Sequence, residues 1–145
     1  MVFSKASEYA LKSLVYMAKA DSTGNFGVQE VADSIKVSKS YLAKVLQQLV
    51  KSGFLKSVTG PNGGFSFARE PAQIKVLEIV LSLDQEKSFE LCFFGWDECS
   101  DNNPCPMHFK WKKYKVELRS DLGELNVQEA AEIAWPKLIK FNLEN

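Results

Sequence analysis

The chain has 145 residues, 46% of them hydrophobic, with 18 basic side chains against 18 acidic ones. That apolar content suits one compact domain and excludes an intrinsically disordered chain. No apolar run approaches the roughly 20 residues that cross a bilayer, and Met1-Val2-Phe3-Ser4-Lys5 lacks the apolar core of a signal peptide. No membrane partner is therefore expected, and the chain reads as cytoplasmic. Thiols stay reduced in that compartment, so three cysteines within one segment point to metal or redox chemistry more than to a structural disulfide. The net charge of zero hides an asymmetry: residues 1–70 carry nine Lys/Arg and five Asp/Glu, whereas residues 71–145 carry nine and thirteen. A basic first half beside an acidic second half is compatible with nucleic-acid contact by the first half alone.

In chain order, residues 4–20 place Ala6, Ala10, Leu14 and Met17 at helical spacing, widened by Leu11, Val15 and Ala18. Asp21 to Gly27 is a turn-rich link. A short helix follows with Val28, Val31, Ala32 and Ile35 on one face. Lys36 and Val37 connect it to a helix over about 39–52 that buries Leu42, Val45, Leu46 and Leu49, with Ser38 as the capping hydroxyl and Gly53 as the stop. Short helix, tight connection and longer helix make a helix-turn-helix. Residues 54–58 and 64–68 read as strands, and Thr59-Gly60-Pro61-Asn62-Gly63 between them as a glycine-rich hairpin tip. A recognition helix followed at once by a hairpin is a winged helix. An apolar helix is predicted over 74–83 and a loop over 92–105. An amphipathic helix over about 107–122 carries Trp111, Tyr114, Val116, Leu118 and Leu122. A short helix near 127–134 precedes Trp135-Pro136. The class is mostly α with a small β-hairpin. We divide the chain into a winged helix-turn-helix over 1–84, a cysteine loop over 85–106 and a C-terminal helical part over 107–145.

Two constellations carry chemistry. A helix fits the major groove, where residues near its N-terminus reach base edges and flanking cations hold phosphates. Ser38, Lys39, Ser40, Tyr41 and Lys44 occupy that position, with Gln47 a turn further on. Gln suits a bidentate pair to adenine, and Ser and Lys suit phosphates. The wing tip, Gly60, Pro61, Asn62 and Gly63, is placed to follow the backbone or enter a minor groove. The second constellation is Cys92-x6-Cys99-x5-Cys105, followed by His108. Three thiols on one loop can converge on a soft metal centre, and His108, the chain's one histidine, is the candidate fourth ligand. From spacing alone, zinc competes almost equally with iron–sulfur. A thiol enzyme built on Cys105 and His108 lacks an orienting third group, so no enzymatic activity is expected.

Several strings in this chain match a known family: Glu8-Tyr9-Ala10-Leu11, Val31-Ala32, Ser38-x-Ser40-Tyr41-Leu42, Leu49-x-x-Ser52-Gly53-Phe54-Leu55 and Gly60-Pro61-Asn62-Gly63-Gly64-Phe65, together with the three cysteines. On these the chain resembles the bacterial iron–sulfur cluster regulators, the Rrf2 family. The resemblance implies a homodimeric transcription factor, usually a repressor. Its long helix after the cysteines packs against its twin, so that two recognition helices address a palindromic operator. Trp111, Tyr114, Leu118 and Leu122 are then interface candidates. It also implies an iron–sulfur cluster on Cys92, Cys99 and Cys105 whose loss or modification changes DNA affinity in response to redox state or nitric oxide. The Cys105-x-x-His108 pattern resembles the branch that regulates cluster assembly, which favours 2Fe–2S, with 4Fe–4S as the alternative. Some relatives instead place an acidic ligand from the partner subunit where Glu8 stands. The first cysteine gap holds six residues where the common pattern has five, so a different loop geometry is expected, and Ala43 stands where the assembly branch tends to carry an acidic residue, so a matching operator is not expected.

Overall fold

The computed structural model describes residues 3–144. Helix α1 (Lys5–Asp21) begins at Ser4, whose hydroxyl accepts the Ser7 amide, and buries Ala10, Leu14 and Met17. Helix α2 (Val28–Ile35) buries Val31, Ala32 and Ile35, and ends at Lys36, which takes a left-handed conformation at φ 59°. That turn brings in α3 (Lys39–Lys51), whose Leu42, Val45, Leu46 and Leu49 are all buried as their spacing predicts. Ser38 does occupy the N-cap position, but its hydroxyl lies 3.0 Å from Ser40 Oγ and caps no amide, contrary to the sequence expectation. The neighbouring hydroxyl competes for it locally. Gly53, at φ 83°, ends the helix.

Strands β1 (Leu55–Val58) and β2 (Gly64–Phe67) pair antiparallel, with Leu55 opposite Phe67 and Val58 opposite Gly64. Phe26, just ahead of α2, exchanges backbone hydrogen bonds with Phe65 at 2.7 and 2.8 Å, so the link before α2 braces the hairpin. Gly64 permits this approach: a Cβ there would stand 2.5 Å from the Phe26 carbonyl oxygen, and its φ of 149° suits glycine. A short 3-10 turn over Pro71–Gln73 leads into α4 (Val76–Asp84), and a four-residue α5 (Lys87–Glu90) precedes the cysteine loop.

Helix α6 (His108–Glu124) follows that loop, and α7 (Val127–Glu144) closes the chain. Backbone bonds from Val76 N to Leu125 O and from Val127 N to Ile74 O, both 2.9 Å, tie the α6–α7 turn to the start of α4. The predicted short helix near 127–134 is instead an 18-residue helix that runs through Pro136. Its packing explains the continuation. Val127 and Ala131 are sealed in the same core as α1–α3, Leu138 lies against that core, and Trp135 stacks on Tyr16. Tertiary burial thus overrides the cost of a missing amide. Helix α6 is not amphipathic within the chain as its sequence suggests. It buries His108 and Lys115, while Tyr114 and Val116 are exposed and Trp111, Leu118 and Leu122 half-buried.

Candidate nucleic-acid interface and cysteine loop

The side chains expected from sequence to read DNA share one exposed surface. Ser38, Lys39, Ser40, Tyr41, Lys44 and Gln47 are all exposed on or just before the first turns of α3, whose buried face anchors the helix to the core. Tyr41 stands edge-on to Tyr9 of α1 at 5.4 Å, which fixes its ring. A shallow concavity beside Tyr41, Lys44 and Gln47 is also lined by Gln48 and Lys51, which sequence reasoning missed. The signal was present: Lys44, Gln48 and Lys51 are spaced i, i+4, i+7 and so share a helical face. At the wing, Gly60, Pro61 and Asn62 are exposed and Gly63 half-buried. Asn25 Nδ2 donates to the Asn62 carbonyl at 2.7 Å and so pins the tip to the α1–α2 link.

The four sulfur and imidazole donors stand as two pairs. Cys92 is buried at 7% exposure, with the Cys105 side chain near its thiol. Burial alone would raise the Cys92 thiol. The backbone amides of Phe94, Trp96 and Gly95 and the Cys105 side chain outweigh burial and hold it below the usual thiol range. In the second pair, Cys99 Sγ lies 3.4 Å from Nδ1 of His108. The His108 partner is therefore Cys99, not the sequence-adjacent Cys105, and it has the orienting group that the sequence did not reveal: Nε2 is 2.6 Å from Asp101 Oδ1. Lys115, buried at 8% exposure, points its ammonium at Cys99 Sγ (3.8 Å) and at the Leu91 carbonyl (3.5 Å). Trp111 Nε1 donates to the same carbonyl at 2.9 Å, so α6 grips the start of the loop with two side chains. Glu8 does not join this group. Its carboxylate takes Lys12 at 2.8 Å and Lys5 at 3.1 Å along its own helix, and these two cations hold it below its ordinary range.

Among the described residues no three His, Cys, Asp or Glu side chains converge on a point fit for a single metal ion. The donor set nevertheless suits a two-iron cluster: each iron of a 2Fe–2S centre takes two protein ligands, and here Cys105 is near Cys92 and Cys99 is near His108.

The family model described as "Rrf2: Iron-dependent Transcriptional regulator" matches residues 3–132. The chain belongs to the Rrf2 family. It is a transcriptional regulator, and no described helix is long and apolar enough to cross a membrane. A relative from Aquifex aeolicus (strain VF5), named as an HTH-type transcriptional regulator, is 36% identical over 121 residues, covering 82% of this chain and 83% of that one. The HTH-type transcriptional regulator IscR of Xenorhabdus nematophila is 26% identical over 129 residues, covering 89% and 78%. These relatives are named as regulators, not enzymes. Among solved structures, CymR, the global cysteine regulator of B. subtilis, superposes with a TM-score of 0.74 at 21% identity, covering 90% of this chain and 96% of that one. IscR of T. potens does so at 0.69 and 24%, covering 90% and 86%. Both share the Rrf2 winged-helix fold.

Proposed function

We propose that this Rrf2 regulator binds a palindromic operator as a homodimer, usually repressing, and that an iron–sulfur cluster on Cys92, Cys99, Cys105 and His108 sets its DNA affinity. The observation that carries the cluster reading is the pairing of Cys92 with Cys105 and of Cys99 with His108 at the foot of α6. The two-and-two grouping favours 2Fe–2S over 4Fe–4S. The relatives named IscR and NsrR lend support from sequence. Engagement of Glu8 by Lys5 and Lys12 favours His108 as the fourth ligand over Glu8 donated by a partner subunit.

When bound, such a cluster supplies a centre whose charge and integrity respond to oxidants, nitric oxide or iron supply. The chain's own residues supply the route to the reader. Trp111 and Lys115 fasten Leu91 to α6, the end of α6 is bonded to the start of α4, and α4 packs on α1, which carries the reader's core. Loop order is thereby linked to the placement of α3. Homodimer formation through α6 is supported by Tyr114 and Val116, 49% and 67% exposed on that helix. Protein purified without oxygen is expected to be coloured, with iron and sulfide in proportion to protein and operator affinity that changes on cluster removal. A colourless, zinc-loaded preparation whose affinity ignores iron and sulfide would overturn the reading.

The Cys92–Cys105 contact favours a second reading, a thiol switch or zinc site without a cluster. The two thiols would give two electrons and two protons to a peroxide or disulfide oxidant and close a disulfide. His108→Ala separates the two readings: it should destabilise a cluster that His108 ligates and leave a Cys92–Cys105 switch intact.

A further inference from the structure

Resting on the cluster reading, we infer that Asp101 is a positioning residue which, braced by Lys112, presents Nδ1 of His108 as the ligating nitrogen. His108 is 3% exposed at the first position of α6, with its ring edge-on to Phe109 at 4.9 Å. Its two nitrogens face different chemistries. Nε2 meets the Asp101 carboxylate at 2.6 Å, and a ring nitrogen facing a carboxylate carries the proton, so it has no lone pair to give. Nδ1 is left with its lone pair toward Cys99 Sγ at 3.4 Å. Nitrogen and sulfur ligands at roughly 2.1 and 2.3 Å from one tetrahedral centre stand about 3.6 Å apart, so this pair already nearly spans the edge of one coordination tetrahedron.

The carboxylate itself is held. Both oxygens of Asp101 receive Lys112 Nζ, at 3.0 and 3.1 Å. His108, Lys112 and Lys115 follow one another along a single face of α6 at i, i+4 and i+7, so one rigid helix sets the ring, the brace of its carboxylate and the ammonium beside Cys99. Asp101 and Lys112 are each more than half exposed, and in neither does burial account for the contact. What Asp101 does fix is which nitrogen of a buried ring is free.

The chain contains one histidine, so isotope-labelled histidine reports His108 alone. In the metal-free protein at alkaline pH, with the ring neutral, nitrogen NMR should find the proton on Nε2. A proton on Nδ1 would overturn the inference. In reconstituted and reduced protein, histidine labelled at Nδ1 should give the strong nitrogen coupling in pulsed EPR; coupling through Nε2 would equally overturn it. Asp101→Ala should mix the tautomers and speed cluster loss to a chelator by roughly 10–100-fold. Asp101→Asn, which keeps an acceptor oxygen, should restore most of both. Unchanged tautomer and lifetime in Asp101→Ala would refute the role. If wild-type protein takes up no cluster at all, the cluster reading fails separately, and the metal-free NMR still decides what Asp101 does.

Discussion

Single side chains in this chain divide into those whose type announces their role and those whose role exists only after folding. Gly60, Gly63 and Gly64 belong to the first kind, since turn and close-approach positions demand residues without a Cβ. Gly64→Ala forces a methyl to 2.5 Å from the Phe26 carbonyl at a φ of 149° and should cost about 1–3 kcal/mol, read from the urea midpoint. A wild-type midpoint in that variant would mean that the brace between Phe26 and Phe65 is dispensable. The gathering of the three cysteines on one loop ahead of α6 was equally legible. Asp101, Lys112 and Lys115 were not, because an aspartate in a loop or a lysine on a helix has the look of an ordinary solvated charge until the fold sets it beside a thiol or an imidazole. Lys36 was also opaque: nothing local marks a lysine for positive φ.

Whole elements were legible to the extent that their apolar period was regular. Helix α3 is the clearest case, with four predicted core residues buried and the polar face left to the reader. Replacing Lys39 or Lys44 by Ala should weaken binding to all DNA sequences alike and lower the salt slope by about one each. Gln47→Ala should instead relax base preference at one position of the operator, by roughly 1–3 kcal/mol. Fluorescence anisotropy across a salt series distinguishes these outcomes, and a sequence-selective loss in the lysine variants would reassign them to base readout. The end of the chain misled because Pro136 is a strong local stop signal, whereas the helix it interrupts is held by Ala131 and Leu138 far more firmly than a local rule can register. Since proline costs up to about 3 kcal/mol inside a helix, Pro136→Ala should raise the melting temperature. A fall would show that the packing of α7 needs a bend at that residue. Helix α6 differs from its amphipathic reading because the face carrying Trp111, Tyr114, Leu118 and Leu122 is only partly covered within the chain; Tyr114→Asp should shift the sedimentation equilibrium toward monomer if a second copy covers it.

At the scale of the molecule, a few carboxylates tie the parts together and make the assembly sensitive to acid. Asp84 accepts the Ser4 amide at 2.9 Å, the Ser4 hydroxyl and the Ser88 hydroxyl at 3.1 Å, and so joins the first turn of α1 to the end of α4 and to α5. Burial would raise its pKa, but these donors outweigh burial and hold the carboxyl low. Glu78 is likewise lowered against burial by the Lys75 amide and Arg69. A depressed carboxylate contributes its full stabilisation above the unfolded-state value of about 4, and loses it as pH falls through the folded value. Stability measured by urea should therefore decline on acidification below about pH 4, and Asp84→Asn should flatten that decline while costing stability at neutral pH. An unchanged acid limb in the variant would place the sensitivity elsewhere.

The seating of α7 on α1 has a consequence for how the protein is made. Helix α1 keeps part of its apolar flank uncovered until Val127, Ala131 and Leu138 arrive, more than a hundred residues further along the chain. A nascent chain carrying a complete helix-turn-helix is thus still an unfinished core, exposed to chaperones and proteases until α7 has been made. Premature termination after α6 should yield an insoluble product instead of a small free-standing DNA binder, as pulse-labelling of such a truncation would reveal.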